Sequence, residues 1–197
     1  KLTKATEIDG TRQLVEAARA AGVPHLLYIS IIGVDRVPYY YYTYKLAAEK
    51  VVQAGGVPYS ILRIAQFHSF IDFILGTLLR YPVGLLPTGW QSQPIATVEA
   101  AQAVIAAAIQ PPGGMLPEAA GPEVLTLGAM VRDWKAVRGQ QRLIVPIRLP
   151  LAFADGFRKG YNTNPARTIG RQTWREWLEA TYSTARVHDP RRDFRRA

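Results

Sequence analysis

Two short apolar runs, each lying between segments of helical periodicity, constrain the fold of this chain more than any other feature. The runs cover residues 25–30 and 58–63, and nearly continuous apolar strands are typical of a parallel sheet that is covered on both faces. Apolar residues recur at helical spacing over residues 8–21, 41–53 and 67–79. This alternation predicts an α/β fold with a doubly wound parallel sheet, in which ligands bind at the carboxyl ends of the strands.

The second half of the chain predicts shorter elements of mixed type. The shorter elements begin beyond Gly84, and a break at residues 111–114, Pro-Pro-Gly-Gly, lies among them, a composition that ends helices and strands. Strands are predicted at residues 94–97, 123–127 and 143–147, and helices at residues 98–109, 128–138, 149–161 and 172–182. We therefore predict a small mixed α+β lobe in the C-terminal part of the chain.

The charge of the chain is unevenly distributed. Residues 1–131 contain nine Lys and Arg and nine Asp and Glu, whereas residues 132–197 contain fifteen and six and so carry the whole net charge of +9. A basic surface can bind nucleic acid, an anionic membrane or an anionic cofactor. No known nucleic-acid motif accompanies the charge, so we expect no nucleic-acid partner and interpret the densest part, residues 191–196, as a solvated tail.

Composition excludes several other classes of protein. With 197 residues and 48 % hydrophobic residues the chain can form one ordinary folded domain. It has no cysteine and three scattered histidines, which excludes thiolate chemistry and predicts that there is no metal site. No apolar run reaches the roughly 18–20 residues of a membrane-spanning helix, and the first residues lack the pattern of a secretory signal. We expect a cytoplasmic protein without a membrane partner.

Three residues around the first predicted strand and the next helix can carry chemistry. Ser30 ends the strand, and Tyr41 and Lys45 stand four residues apart at the start of the helix, which places both on one helical face. A phenol titrates near a pKa of about 10, and a neighbouring ammonium favours the phenolate, which suits proton transfer near neutrality. Tyr41 would then be the acid or base, Lys45 its tuner and Ser30 the group that holds the substrate.

The sequence around these residues resembles that of a known family. Residues 9–30 (DGTRQLVEAARAAGVPHLLYIS), 38–49 (PYYYYTYKLAAE) and 62–68 (LRIAQFH) are similar to the NmrA-like group of atypical short-chain dehydrogenase/reductases. The resemblance is specific over residues 9–68, and it extends more loosely to about residue 180 in the order of strands and helices.

The resemblance implies an NAD(P)-binding Rossmann fold, of which residues 1–110 form the C-terminal part and residues 111–197 a smaller substrate lobe with the basic tail. It also implies that Ser30, Tyr41 and Lys45 form the catalytic triad, and that Lys45, Ala65, Gln66 and Phe67 bind the cofactor, with NADP(H) favoured over NAD(H). The family's glycine-rich phosphate loop, G-x-G-x-x-G, does not occur in this sequence. The resemblance therefore implies that the family's N-terminal portion, three strands with their helices, is missing before Lys1.

Two functions agree with these observations. The first is an NAD(P)H-dependent oxidoreductase that reduces a small carbonyl, quinone or conjugated substrate, in which the nicotinamide supplies hydride and Tyr41 the proton. The alternative is a redox sensor that binds the dinucleotide and a protein partner without turnover, since some members of the family act in this way.

Overall fold

The chain alternates strands and helices through most of its length. A computed structural model describes residues 4–183; the predicted basic tail, residues 191–196, lies outside the described residues. The helices are α1 Thr11–Ala20, α2 Tyr40–Ala54, α3 His68–Leu78, α4 Thr97–Ala108, α5 Leu127–Val137, α6 Ala152–Arg158 and α7 Trp174–Ser183. The strands are β1 Leu26–Ile31, β2 Tyr59–Ile64, β3 Val83–Leu86, β4 Gln91–Ser92, β5 Gly114–Met115, β6 Leu125–Thr126 and β7 Leu143–Pro146. A π-helical segment, Ala5–Gly10, runs directly into α1.

The central sheet is parallel and has the strand order β1-β2-β5. Strands β1 and β2 pair from Leu26 opposite Tyr59 to Ile31 opposite Ile64. Helices α1 and α2 bury one face around Ile61, and α4 covers the other face around Leu62. Helices therefore cover both faces of the sheet, and β2 is mostly buried. This confirms the α/β prediction and agrees with the nearly continuous apolar runs of the two strands.

A second core joins the end of α3 to the later helices. It contains nine buried residues: Ile71, Leu75, Leu79, Leu86, Met130, Val131, Trp134, Trp174 and Leu178. Two small sheets lie beside it, a parallel pair of β3 with β7 and an antiparallel pair of β4 with β6. The later part of the chain is thus mixed α and β; the division at residue 110 stays a prediction, and β5 beyond it still joins the central sheet.

Several predicted elements are shorter than expected or absent. The strand predicted at residues 94–97 is wrong, because only Ile95 makes an isolated bridge, to Phe67, and the neighbouring Pro94 has no N–H to donate. The strand predicted at residues 123–127 has two residues, β6. The helix predicted at residues 149–161 is α6 alone, since Gly160 adopts a φ of 70° shortly after it.

Strand β1 is an edge of the central sheet within residues 4–183, because β2 is the one strand that pairs with it there. The backbone groups of its even-numbered residues form hydrogen bonds with β2. Examples are the bonds from Leu26 N–H to Pro58 O and from Ile32 N–H to Ile64 O. Its odd-numbered residues therefore direct their backbone groups to the open edge. None of the described helices is long and apolar enough to span a bilayer.

Candidate functional site

A cavity of about 210 Å³ opens where β1 and β2 end. It is lined by Ile29, Ser30, Ile31, Tyr41, Lys45, Ile64, Ala65, Gln66 and Phe67. All six residues that the sequence singled out as catalytic or cofactor-binding are in this set. The carboxyl ends of two parallel strands and the first turns of α2 bring them together, as expected for a doubly wound sheet.

Ser30 contributes an unpaired hydroxyl to this cavity. It lies one residue before the end of β1 and is 2 % exposed. Its Oγ is buried and has no hydrogen-bond partner among the described residues. Because a buried hydroxyl without a partner costs about 1–3 kcal/mol, this atom is suited to bind a polar group that enters the cavity.

Lys45 is held against the edge of β1. Its Nζ donates to the Tyr28 hydroxyl at 2.8 Å and to the Ile29 carbonyl oxygen at 3.1 Å, and it lies 4.3 Å from the centre of the Tyr28 ring. The ammonium thus satisfies one carbonyl of the open edge of β1. The described residues contain no direct hydrogen bond between Lys45 and Tyr41.

Tyr41 donates its hydroxyl proton to the Glu7 carboxylate, with an Oη–Oε1 distance of 3.2 Å. Burial, followed by the negative charge of Glu7 and this hydrogen bond, raises the pKa of Tyr41 to about 12. The sequence predicted the opposite direction, a phenol tuned downward by Lys45, and it was wrong because the ammonium is bound to Tyr28 and Glu7 instead. Tyr41 is therefore a protonated phenol at neutral pH, which can give a proton but does not readily take one.

The segment after β2 forms the opposite wall of the cavity with a tightly bonded backbone. Ala65 N–H donates to Ala119 O at 2.9 Å, and Gln66 O accepts from Ile95 N–H at 3.0 Å. The Gln66 amide also donates to the hydroxyl of the buried Tyr42 at 3.3 Å, while Phe67 packs on the core beside α4. The three predicted residues of this wall are therefore fixed in place by neighbouring strands and loops.

Sequence reasoning missed two residues of the site. Tyr28 stands two positions before Ser30 in β1, so the alternation of side chains along a strand could have placed both on the same face. Glu7 lies in the π-helical segment, and its carboxylate also approaches Lys45 Nζ at 3.5 Å. No local pattern marks a π-helical turn, so the sequence carried no signal for Glu7.

Comparisons with known proteins bear on the fold that carries this cavity. Residues 2–70 match the model of the NAD(P)H-binding family. The NADPH-dependent quinone oxidoreductase QOR2 of Escherichia coli, in its complex with NADPH, is similar with a TM-score of 0.72 and 21 % identity over 86 % of this chain and 70 % of that chain. A triphenylmethane reductase of Citrobacter sp. has a TM-score of 0.65 and 17 % identity over 87 % of this chain and 70 % of that chain.

MoeE5 in complex with UDP-glucuronic acid and NAD is similar with a TM-score of 0.69 and 17 % identity over 91 % of this chain and 71 % of that chain. Among curated proteins, none matches this chain in sequence. At these identities the solved structures show the fold alone. The chain thus has the Rossmann-like fold of these solved structures, as the sequence predicted, and its residues 2–70 match the NAD(P)H-binding family.

The residues around the cavity fit one end of a dinucleotide. The unpaired Ser30 hydroxyl and the Lys45 ammonium are donors suited to a carboxamide, carbonyl or ribose hydroxyl. The cavity, at about 210 Å³, is smaller than the roughly 300–1,000 Å³ of ordinary ligand sites. The sequence contains no G-x-G-x-x-G to bind a pyrophosphate. The residues present therefore fit the nicotinamide and its ribose and do not fit the phosphates.

Proposed function

We propose that this protein is an NAD(P)H-dependent oxidoreductase of the NmrA-like type that reduces a small carbonyl, quinone or conjugated substrate. The observation that carries the proposal is the cavity at the ends of β1 and β2, where the unpaired Ser30 hydroxyl meets Tyr41 and Lys45. The structures of similar fold include one complex with NADPH and one with NAD, and the proposed preference for NADP(H) over NAD(H) is the one that the NmrA-like resemblance implies. The quinone oxidoreductase and reductase among the similar structures support a reduction.

Each residue of the cavity would have a different role in such a reduction. When bound, NAD(P)H supplies the hydride. Ser30 donates a hydrogen bond to the substrate oxygen and so stabilises the charge that develops there. Tyr41, protonated at neutral pH, transfers its proton to that oxygen. Lys45 lies at the edge of β1, where its ammonium can donate to ribose hydroxyls.

One observation favours a second candidate, a dinucleotide-binding sensor without turnover. The Tyr41 hydroxyl donates to Glu7, which is not among the residues that line the cavity, so its proton is directed away from the place of a substrate. A protein that holds this arrangement after binding would recognise the cofactor and leave it unchanged. The two candidates therefore differ in turnover and agree in binding.

The experiment that tests the proposal measures binding and turnover in the same protein. Calorimetric titration with NADPH and NADH establishes whether either cofactor binds and which is preferred. Loss of NADPH absorbance is then followed with quinones, aldehydes and conjugated ketones as acceptors. Binding with acceptor-dependent oxidation supports the oxidoreductase. Binding without oxidation by any acceptor supports the sensor, and absence of binding contradicts both.

A further inference from the structure

Glu7 joins the two ionisable residues of the site. Its Oε1 accepts the Tyr41 hydroxyl at 3.2 Å, and its Oε2 lies 3.5 Å from Lys45 Nζ. Since Tyr41 and Lys45 have no direct hydrogen bond among the described residues, the Glu7 carboxylate is the group that connects them. One carboxylate thus fixes the directions of both side chains.

Glu7 acts from behind the cavity wall. Tyr41 and Lys45 line the cavity, whereas Glu7 does not. Its side chain is 20 % exposed, and that of Lys45 is 12 % exposed, so solvent screens the pair only in part. The π-helical segment Ala5–Gly10 packs on α2, and this packing brings the carboxylate to the first turns of that helix.

The charges around Tyr41 come from three elements. Lys45 is the cation on α2, Glu7 is the anion on the π-helical segment, and Tyr28 on β1 and Tyr42 on α2 are neutral phenols. Asp9, also on the π-helical segment, pairs with Arg12 of α1 at 3.1 Å and is half exposed. Lys45 is itself bound to Tyr28 and to a backbone carbonyl. The Glu7 carboxylate is therefore the charge that contacts the Tyr41 hydroxyl.

We propose that Glu7 is a positioning residue of this site, whose carboxylate holds the Tyr41 hydroxyl and the Lys45 ammonium in place and keeps Tyr41 as the protonated phenol that proton transfer requires. The part concerning proton transfer rests on the proposed oxidoreductase function. In that step the Tyr41 O–H bond breaks as an O–H bond forms on the substrate oxygen, and NAD(P)H, when bound, would supply the hydride that forms the new C–H bond. The Tyr41 phenolate then recovers its proton from water. The Glu7 carboxylate favours this recovery because the two negative charges repel each other.

The first test requires neither cofactor nor turnover. Glu7→Gln keeps the shape of the side chain and one acceptor oxygen but removes the charge. The ultraviolet absorbance of tyrosinate is measured against pH for each protein and for the same protein with Tyr41→Phe. The difference between the two titration curves reports the ionisation of Tyr41 alone. We expect Tyr41 to ionise at most about one pH unit lower in Glu7→Gln than in the unsubstituted protein, because burial, the largest cause of its raised pKa, remains in the variant. Glu16→Gln, which removes an exposed carboxylate from α1, is the matched control and leaves the transition unchanged.

One further variant and a pH profile complete the test. Glu7→Asp retains the charge on a shorter side chain, so Tyr41 should ionise at a pH between those of Glu7→Gln and the unsubstituted protein. If Glu7 had a purely structural role, the ionisation pH of Tyr41 would not follow this order. In the active enzyme, the alkaline fall of the reduction rate moves to lower pH in Glu7→Gln because Tyr41 loses its proton earlier. Ionisation of Tyr41 at the same pH in the unsubstituted protein and Glu7→Gln overturns this proposal, whatever the enzyme does. Absence of turnover in the unsubstituted protein contradicts the proposed function and leaves the tyrosinate result to decide the role of Glu7.

Discussion

Lys45 contributes to the site through its charge more than through its packing. Its ammonium donates to Tyr28 and Ile29 O and lies at the cavity, where a ribose can accept from it. Lys45→Ala removes these charge-assisted donors, so we expect NADPH affinity to fall roughly 10- to 100-fold, the equivalent of about 1.5–3 kcal/mol. Calorimetric titration measures the change. Lys50→Ala, an exposed lysine of the same helix, should bind NADPH as the unsubstituted protein does.

His68, the residue that follows the cavity wall, makes the stability of the protein depend on pH. It is fully buried, its Nε2 donates to Pro94 O at 3.1 Å, and it packs against the stacked rings of Trp174 and Trp177. Burial lowers its pKa to about 4. Because the pKa is lowered from about 6.5, the folded state binds fewer protons than the unfolded state, and stability decreases as the pH falls from 6.5 to 4.

The size of this effect follows from the shift of roughly 2.5 pH units, which corresponds to about 3 kcal/mol lost between pH 6.5 and pH 4. His68→Gln retains an N–H donor for Pro94 O and cannot be protonated. Urea unfolding at several pH values should show a steeper loss of stability in the unsubstituted protein than in His68→Gln over this window. Parallel pH dependences of the two proteins would refute the assignment.

The residues of the site differ in how well they could be predicted from the sequence. Ser30, Tyr41 and Lys45 could be predicted because a strand end and a helix start follow from local periodicity. The direction of the Tyr41 proton could not, since it depends on Glu7, which lies thirty-four positions away. Contacts over such separations are set by packing and not by spacing along the chain.

At the scale of elements, a buried ion-pair network holds α2 against the sheet. Arg63 of β2 binds Glu49 of α2 through two bonds of 2.9 and 2.8 Å and reaches Asp35 of the loop after β1 at 3.0 Å. The Glu49 side chain is 2 % exposed, so its charge depends on Arg63 for compensation. The network fixes α2, which bears Tyr41 and Lys45, relative to the strand end that bears Ser30.

Breaking this network should destabilise the whole domain. Arg63→Met leaves the Glu49 carboxylate buried without its partner, and we expect the free energy of unfolding to fall by about 3–5 kcal/mol. Urea denaturation followed by circular dichroism measures it. The double variant Arg63→Met/Glu49→Leu removes both charges and should recover most of the loss. A double variant no more stable than Arg63→Met would show that the network acts through packing alone.

The elements themselves were predictable where their hydrophobic pattern is local. Helices α1 to α3 and strands β1 and β2 lie where the sequence predicted them, because each buries a continuous stripe or run. Strand β3 was missed because its partner, β7, lies about sixty residues later. The two-residue strand β4 was also missed, because it exists only through its pairing with β6 and is too short to show a periodic pattern.

At the scale of the whole molecule, several basic residues of the C-terminal part form ion pairs with acidic neighbours. Arg175 approaches Asp133 and Glu179, Arg158 and Lys159 share Asp155, and Arg138 reaches Asp72. Pairing of this kind disperses the basic surface that a phosphate backbone would need. We expect duplex DNA to bind weakly and to be released at physiological salt. Fluorescence anisotropy in increasing salt measures this, and tight sequence-selective binding at physiological salt would contradict it.

The central claim is that Tyr41 is the proton donor of an NAD(P)H site, and one substitution tests it most directly. Tyr41→Phe keeps the ring and removes the proton, so NADPH oxidation with an accepted substrate should fall by about 10²- to 10⁴-fold while NADPH affinity stays nearly constant. Tyr40→Phe, at a neighbouring position that is 61 % exposed, should retain full turnover. Equal turnover in the unsubstituted protein and Tyr41→Phe would contradict the account.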